Sequence, residues 1–167
     1  MLRKIIIALI LSLLTLNLGA QALVPDRYVT LTVDADYKYI FHGRGVDYSV
    51  GYSADLDYHV GPFSTGVGFD NGISSYWLED YNVWFNLHAG YSFGTGKGYI
   101  TPYLTTGWFL QCWHKYNKRY DYLLSSAGCR LDFLLNDYTA FDMKAGLLLD
   151  HKLRWGAEMA FGLRFKF

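Results

Sequence analysis

The sequence predicts an all-β fold: an antiparallel transmembrane β-barrel of eight strands, after a cleaved N-terminal signal peptide. Three observations point there. Apolar and polar residues alternate with a period of two through most of the chain beyond residue 22. The segments are joined by short turns and longer loops in alternation, the habit of outer-membrane barrels. The composition is that of a β-protein, 19% aromatic with 15 tyrosines, 17 glycines and 3 prolines.

The first 22 residues stand apart. Arg3 and Lys4 give a positive start, Ile5 to Leu18 form an apolar run, and Ala20-Gln21-Ala22 has the small-x-small pattern of a signal-peptidase site. The run is short for a spanning helix and contains Ser12, Thr15 and Asn17. Residues 1–22 are therefore read as a signal peptide cut after Ala22 or Ala20, and 23–167 as one outer-membrane barrel domain. No cysteine follows the apolar run, which argues against a lipid anchor. Cys112 and Cys129 would then meet an oxidising compartment. The hairpin read below sets Cys129 nearer to Leu104 than to Cys112, so both are expected unpaired on apolar faces, a disulfide requiring another register.

The strands follow in order. Val29, Leu31, Val33, Ala35, Tyr37, Tyr39 and Phe41 alternate with Thr30, Thr32, Asp34, Asp36, Lys38, Ile40 and His42. Tyr48 to Val60 repeats the pattern, with Asp47, Asp55, Asp57 and His59 on the polar side. A shorter piece carries Phe63, Val67 and Phe69. Tyr81, Val83, Phe85, Leu87, Ala89, Tyr91 and Phe93 oppose Asn82, Trp84, Asn86, His88, Gly90 and Ser92. Residues 98–113 are strand-like but apolar at both parities, so their faces stay unassigned. In 120–135, Leu123, Ala127, Cys129, Leu131 and Phe133 oppose Arg130 and Asp132. In 138–150, Phe141, Met143, Ala145, Leu147 and Leu149 oppose Asp142, Lys144, Gly146 and Asp150. The last strand, 155–167, sets Trp155, Ala157, Met159, Phe161, Leu163, Phe165 and Phe167 against Gly156, Glu158, Ala160, Gly162, Arg164 and Lys166.

Between them, 60–62, 94–98 and 135–137 are tight Gly/Pro/Asn/Asp turns. Residues 42–47, 70–80, 113–121 and 150–154 are the longer loops. Strands of about ten to fourteen residues suffice to cross a bilayer when tilted.

Alternation alone does not say which face is inside. A secreted lipocalin-type barrel would hold its aromatic face around a ligand. Two features favour the opposite arrangement. Gly51, Gly90, Gly146, Gly156 and Gly162 fall on the polar parity, where they leave room for long charged neighbours. The apolar parity is too bulky to fit inside eight strands, whose bore barely holds its own side chains. The lumen is therefore expected to carry a charge network of Asp55, Asp57, Arg130, Asp132, Asp142, Lys144, Glu158, Arg164 and Lys166, either paired into a plug or lining a channel. Tyr58, Tyr91, Tyr99, Tyr120, Tyr122, Tyr138 and Trp155 are expected at the membrane–water girdles.

Fifteen basic and fifteen acidic residues balance, so nothing points to nucleic acid. The five histidines show no His-x-His spacing and the cysteines no Cys-x-x-Cys, so neither metal site nor cofactor is expected. His88 and Ser92 share a face but stand roughly 13 Å apart along a strand, too far for a hydrogen bond. No catalytic residues are assigned and no enzyme is expected. A lipid-modifying barrel enzyme and a secreted ligand-binding barrel are the alternatives.

The layout resembles the small eight-stranded OmpA/OmpX class, and the terminal Phe167 resembles the insertion signal of outer-membrane proteins. Residues 34–49, DADYKYIFHGRGVDYS, and 55–71, DLDYHVGPFSTGVGFDN, are similar to the opening hairpin of TorF-type porins, with Tyr39, Phe41 and Gly43 matching and either His42 standing where that family has arginine or Arg44-Gly45 as the equivalent pair. The resemblance implies a monomeric protein of the bacterial outer membrane, in contact with its lipid and lipopolysaccharide and inserted by the barrel-assembly machinery. Its implied role is porin-like or structural, with a charged, largely plugged lumen.

Overall fold

The computed structural model describes residues 27–42, 45–74, 80–94, 97–113 and 118–167. The expected signal peptide, His114 and the side chain of His42 lie outside the described residues. The strands are β1 (Arg27–His42), β2 (Gly45–Val60), β3 (Phe63–Ser74), β4 (Asp80–Tyr91), β5 (Phe93–Gly94), β6 (Gly98–Trp113), β7 (Lys118–Leu134), β8 (Thr139–Asp150) and β9 (Trp155–Lys166). β5 continues β4 after a break at Ser92, whose N–H turns to the Pro62 carbonyl at 2.7 Å. Both pair with β6, so they occupy one place in the wall.

Each strand pairs antiparallel with its neighbour, and β1 pairs with β9, closing an eight-membered ring. Closure extends to the last residue: Phe167 and Val29 exchange backbone bonds, N to O at 2.9 and 3.2 Å. Every place in the wall has a paired neighbour on both sides, which leaves no open sheet edge to stand in hydrocarbon. Strands of 12 to 17 residues are long enough to cross the roughly 30 Å apolar layer at a barrel's tilt.

The faces separate by parity. Val33, Val50, Leu56, Leu87, Leu104 and Leu147 face outward, Leu104 and Leu147 at 66% exposure. Thr30, Thr32, Asp34, Asp36 and Lys38, between the outward residues of β1, are buried in the bore. This is the reverse of a lipocalin-type arrangement. β6, left unassigned above, turns Thr101, Tyr103, Thr105, Phe109 and Gln111 inward and Ile100, Leu104 and Trp108 outward.

Three expectations are corrected. β3 runs to Ser74 rather than ending at Phe69, because Asp70 and Gly72 extend the inward parity and Ile73 the outward one. The loop expected over 113–121 is shorter, since β6 reaches Trp113 and β7 begins at Lys118. Tyr122 is no girdle residue: it is buried in the bore against Phe109, ring centroids 5.2 Å apart. Tyr58, Tyr138 and Trp155 are exposed at strand ends, as expected. Cys112 and Cys129 are free, and the register pairs them with Arg119 and Pro102.

Candidate functional site

Eight of the nine residues expected in the lumen are buried there: Asp55, Asp57, Arg130, Asp132, Asp142, Lys144, Glu158 and Arg164. They come from β2, β7, β8 and β9, and the fold brings them together across the bore. Lys166 is the correction. It sits half-buried at the turn-side mouth, its Nζ 4.7 Å from the Tyr28 ring centroid, and joins no carboxylate of the network. Parity placed it inward, but the last residue of a strand has already reached the rim.

Two arginines organise the turn-side half. Arg130 donates from Nη2 to Asp55 Oδ2 at 2.5 Å and from Nη1 to Asp57 Oδ2 at 3.4 Å, with Nε 3.3 Å from Asp142 Oδ2. Arg164 donates from Nη1 to Asp132 Oδ2 at 2.7 Å and from Nε to Thr32 Oγ1 at 3.0 Å. Its Nη2 lies 3.8 Å from Asp57 Oδ2 and 3.9 Å from Asp142 Oδ2. Asp57 thus bridges both guanidiniums, and it also accepts from His88 Nε2 at 2.5 Å. A planar guanidinium with five donors suits such multiple pairing in a way an ammonium does not.

The middle of the bore is a second group. Glu158 Oε1 accepts from Tyr103 Oη at 2.6 Å and from Ser126 Oγ at 2.5 Å, while Oε2 stands 3.6 Å from Lys144 Nζ. Glycine makes the space: a Cβ on Gly146 would lie 2.4 Å from Tyr103 Oη, and one on Gly68 2.4 Å from Asp55 Oδ1.

The loop-side half was not anticipated. Lys38 pairs with Asp36 on its own strand and with Asp70 Oδ2 of β3 at 3.5 Å. Asn86 Nδ2 also donates to Asp70, at 3.2 Å. Beside them Trp84, Phe109, Tyr122, Leu124 and Leu148 form one buried apolar cluster inside the barrel. The Lys38 ammonium lies 5.6 Å from the Trp84 ring centroid, joining the two parts. Lys38 and Trp84 stood on the inward parity of the sequence; nothing in a single strand's pattern said that they would meet.

The network's polar groups face one another at low exposure, Asp142 at 0%, while Asp132 and Arg164 also border the mouth. At the turn-side mouth a cavity of about 290 Å³ is bounded by Tyr28, Tyr99, Asp132, Tyr138, Arg164 and Lys166. Among the described residues no group of three or more His, Cys, Asp or Glu has metal-binding geometry.

Solved structures share this fold. Neisserial surface protein A aligns with a TM-score of 0.65 at 12% identity, over 86% of this chain and 99% of that one. Ail, the attachment invasion locus protein of Yersinia pestis, aligns at 0.56 and 11% identity, over 84% and 97%. The N-terminal β-barrel domain of Pseudomonas aeruginosa OprF aligns at 0.51 and 18% identity, over 83% and 97%. The chain thus has the fold of the small eight-stranded outer-membrane barrels. No family model matches the sequence, and neither does any curated protein.

Proposed function

We propose that this is a monomeric outer-membrane protein of the bacterial envelope that works through its exterior, its lumen being a structural plug. The observation that carries the reading is the cross-bore ion-pair system. Arg130, Arg164 and Lys144 each meet carboxylates from other strands, and the residues involved are at most 8% exposed. Buried charges held this way hold the wall together, and breaking a pair by removing one partner costs about 3–5 kcal/mol. Eight strands enclose a bore that side chains fill. The apolar outer belt supports placement in lipid, with outer-membrane lipid and lipopolysaccharide as the surroundings. On this reading residues 1–22 are removed on export and Phe167 serves the assembly machinery as an insertion signal.

Catalysis forms no part of the reading. The histidine that touches a hydroxyl, His59 with Nε2 3.0 Å from Thr30 Oγ1, is 1% exposed inside the bore, out of reach of a lipid substrate. Refolded protein in planar bilayers tests the proposal. The plug predicts no stable conductance steps, and steps of porin size overturn it. Unchanged lipid masses in cells overproducing the protein are expected, and a shifted lipid mass revives the lipid-modifying enzyme.

A further inference from the structure

The bore is blocked in two physically different ways. In the turn-side half the obstruction is charged: Arg130 stands four residues in from the turn end of β7, Asp57 and Asp142 three in on β2 and β8, and Arg164 two in on β9. In the loop-side half it is largely apolar, standing beside the Lys38, Asp36 and Asp70 group. Trp84, Phe109 and Tyr122 each stand four residues in from the loop ends of their strands, at Asp80, Trp113 and Lys118. Leu124 and Leu148 complete the wedge, each 1% exposed, and Lys38 stands beside Trp84.

Water and ions meet these two barriers differently. A carboxylate or guanidinium that lets go of a protein partner can take water in its place, so a polar plug can hydrate locally. The wedge's side chains carry only two hydrogen-bonding atoms, Trp84 Nε1 and the Tyr122 hydroxyl, and a constriction so poor in partners for water shuts a pore by staying dry. The charge of the bore is also unbalanced. Among the described residues the bore buries eight carboxylates besides Asp150, which Arg154 holds at the β8–β9 turn: Asp34, Asp36, Asp55, Asp57, Asp70, Asp132, Asp142 and Glu158, against four cations, Lys38, Arg130, Lys144 and Arg164. Among the described residues no cation lies within ion-pair distance of Asp34, and its Oδ1 finds no hydrogen-bond partner. A bore lined by excess carboxylate favours cations.

We infer that the apolar wedge of Trp84, Phe109, Tyr122, Leu124 and Leu148, rather than the ion-pair network, is the barrier to ions, and that the lumen behind it is a latent path for small monovalent cations. The inference rests on the closed-barrel reading above.

Planar-bilayer recordings under a KCl gradient test it, using mature protein refolded and checked for the heat-dependent gel shift of a closed barrel. Wild type should give no stable steps. Trp84→Ala with Phe109→Ala should give steps at least tenfold above the wild-type current, with a reversal potential on the potassium side. Leu124→Asn, with the same branching and number of side-chain heavy atoms, should wet the wedge without emptying it and keeps the test open if the double variant does not fold. Asp57→Asn loosens the network and leaves the wedge intact, so it should stay at the wild-type level. Silent, folded wedge variants beside a silent wild type overturn the inference and leave the closed-barrel reading standing. A wild type that conducts as well as the variants overturns that reading instead. Opening by Asp57→Asn removes the wedge as the barrier, and chloride-selective steps remove the cation assignment.

Discussion

Tyr103 Oη donates to Glu158 Oε1 at 2.6 Å over the inner face of β7 and β8, tying β6 to β9, two strands that share no hydrogen-bonded edge. The same carboxylate takes Ser126 of β7 and faces Lys144 of β8. One acidic side chain therefore links half of the wall. Glu158→Ala leaves the Lys144 ammonium facing a gap, and the expected loss is about 3–5 kcal/mol in urea unfolding from detergent micelles. Glu158→Gln keeps the shape and should lose less. A loss below about 1 kcal/mol for the alanine variant is inconsistent with a structural plug, being the size expected of an exposed pair.

Gly146 belongs to the same contact. A Cβ there would stand 2.4 Å from Tyr103 Oη and 3.0 Å from Glu158 Oε1, so alanine must push the tyrosine off its acceptor. The expected cost is that of a hydrogen bond to a charged group, about 1.5–3 kcal/mol. Tyr103→Phe removes the hydroxyl that the new methyl strikes. Gly146→Ala should therefore cost clearly less in the Tyr103→Phe background, and strict additivity of the two changes sinks the account.

How far the sequence revealed this depended on what a single strand can encode. Gly146 and Leu147 were assigned to opposite faces by alternation, and the structure agrees, because each side of the wall demands one kind of residue. Trp84 fell on the inward parity, but Tyr122 and Phe109 escaped the same logic. Alternation treats the inward face as polar, whereas this bore contains an apolar wedge assembled from β4, β6, β7 and β8. Asp70 was lost to a supposed loop because its neighbours Asn71 and Gly72 read as turn residues, yet Lys38 and Asn86 hold it in the wall. Pairing across a barrel depends on the stagger of its strands, which no local pattern carries.

The outer belt should respond to depth. Leu104, in the middle third of β6 and 66% exposed, faces the centre of the apolar layer. Leu104→Arg should cost about 2–4 kcal/mol when the barrel is refolded into lipid vesicles. Leu147 stands three residues from the loop end of β8, and the same substitution there should cost less. Arginine tolerated equally at both positions, with no loss at either, reverses the inside–outside assignment.

The β8–β9 turn holds backbone strain that a substitution can relieve. Leu153 has φ of 59°, a left-handed conformation in a residue that is 77% exposed. Asp150 fixes it there: Oδ1 accepts from the backbone N–H of Lys152 at 2.8 Å and of Arg154 at 2.9 Å, and the Leu153 N–H bonds to the Asp150 carbonyl at 3.0 Å. A β-carbon in that conformation costs roughly 1–2 kcal/mol, which glycine avoids. Leu153→Gly should therefore leave stability unchanged or raise it by up to about 1 kcal/mol, after the extra chain entropy of glycine is subtracted. Asp150→Ala should lower it, because the turn loses the acceptor that holds both amides.

Arg130 gives the sharpest test, since its removal and its repair have opposite signs. Three carboxylates depend on it: Asp55 at 2.5 Å, Asp142 at 3.3 Å and Asp57 at 3.4 Å. Asp57 and Asp142 also have Arg164 within 4 Å, but Asp55 has no second cation at that distance among the described residues. Arg130→Met should therefore destabilise the barrel by about 3–5 kcal/mol, most of it from the stranded Asp55 carboxylate. Arg130→Lys should recover only part of this, because an ammonium cannot span three acceptors in one plane. Neutralising the orphan should help: Asp55→Asn, destabilising in the wild type, should stabilise the Arg130→Met barrel. The double-mutant cycle measured by urea unfolding in one detergent then gives a coupling whose sign is fixed in advance. It should also vary little with salt, since a pair sealed inside the wall is poorly screened. If Asp55→Asn is equally harmful with and without Arg130, the two side chains do not depend on each other and the network is not what holds the bore.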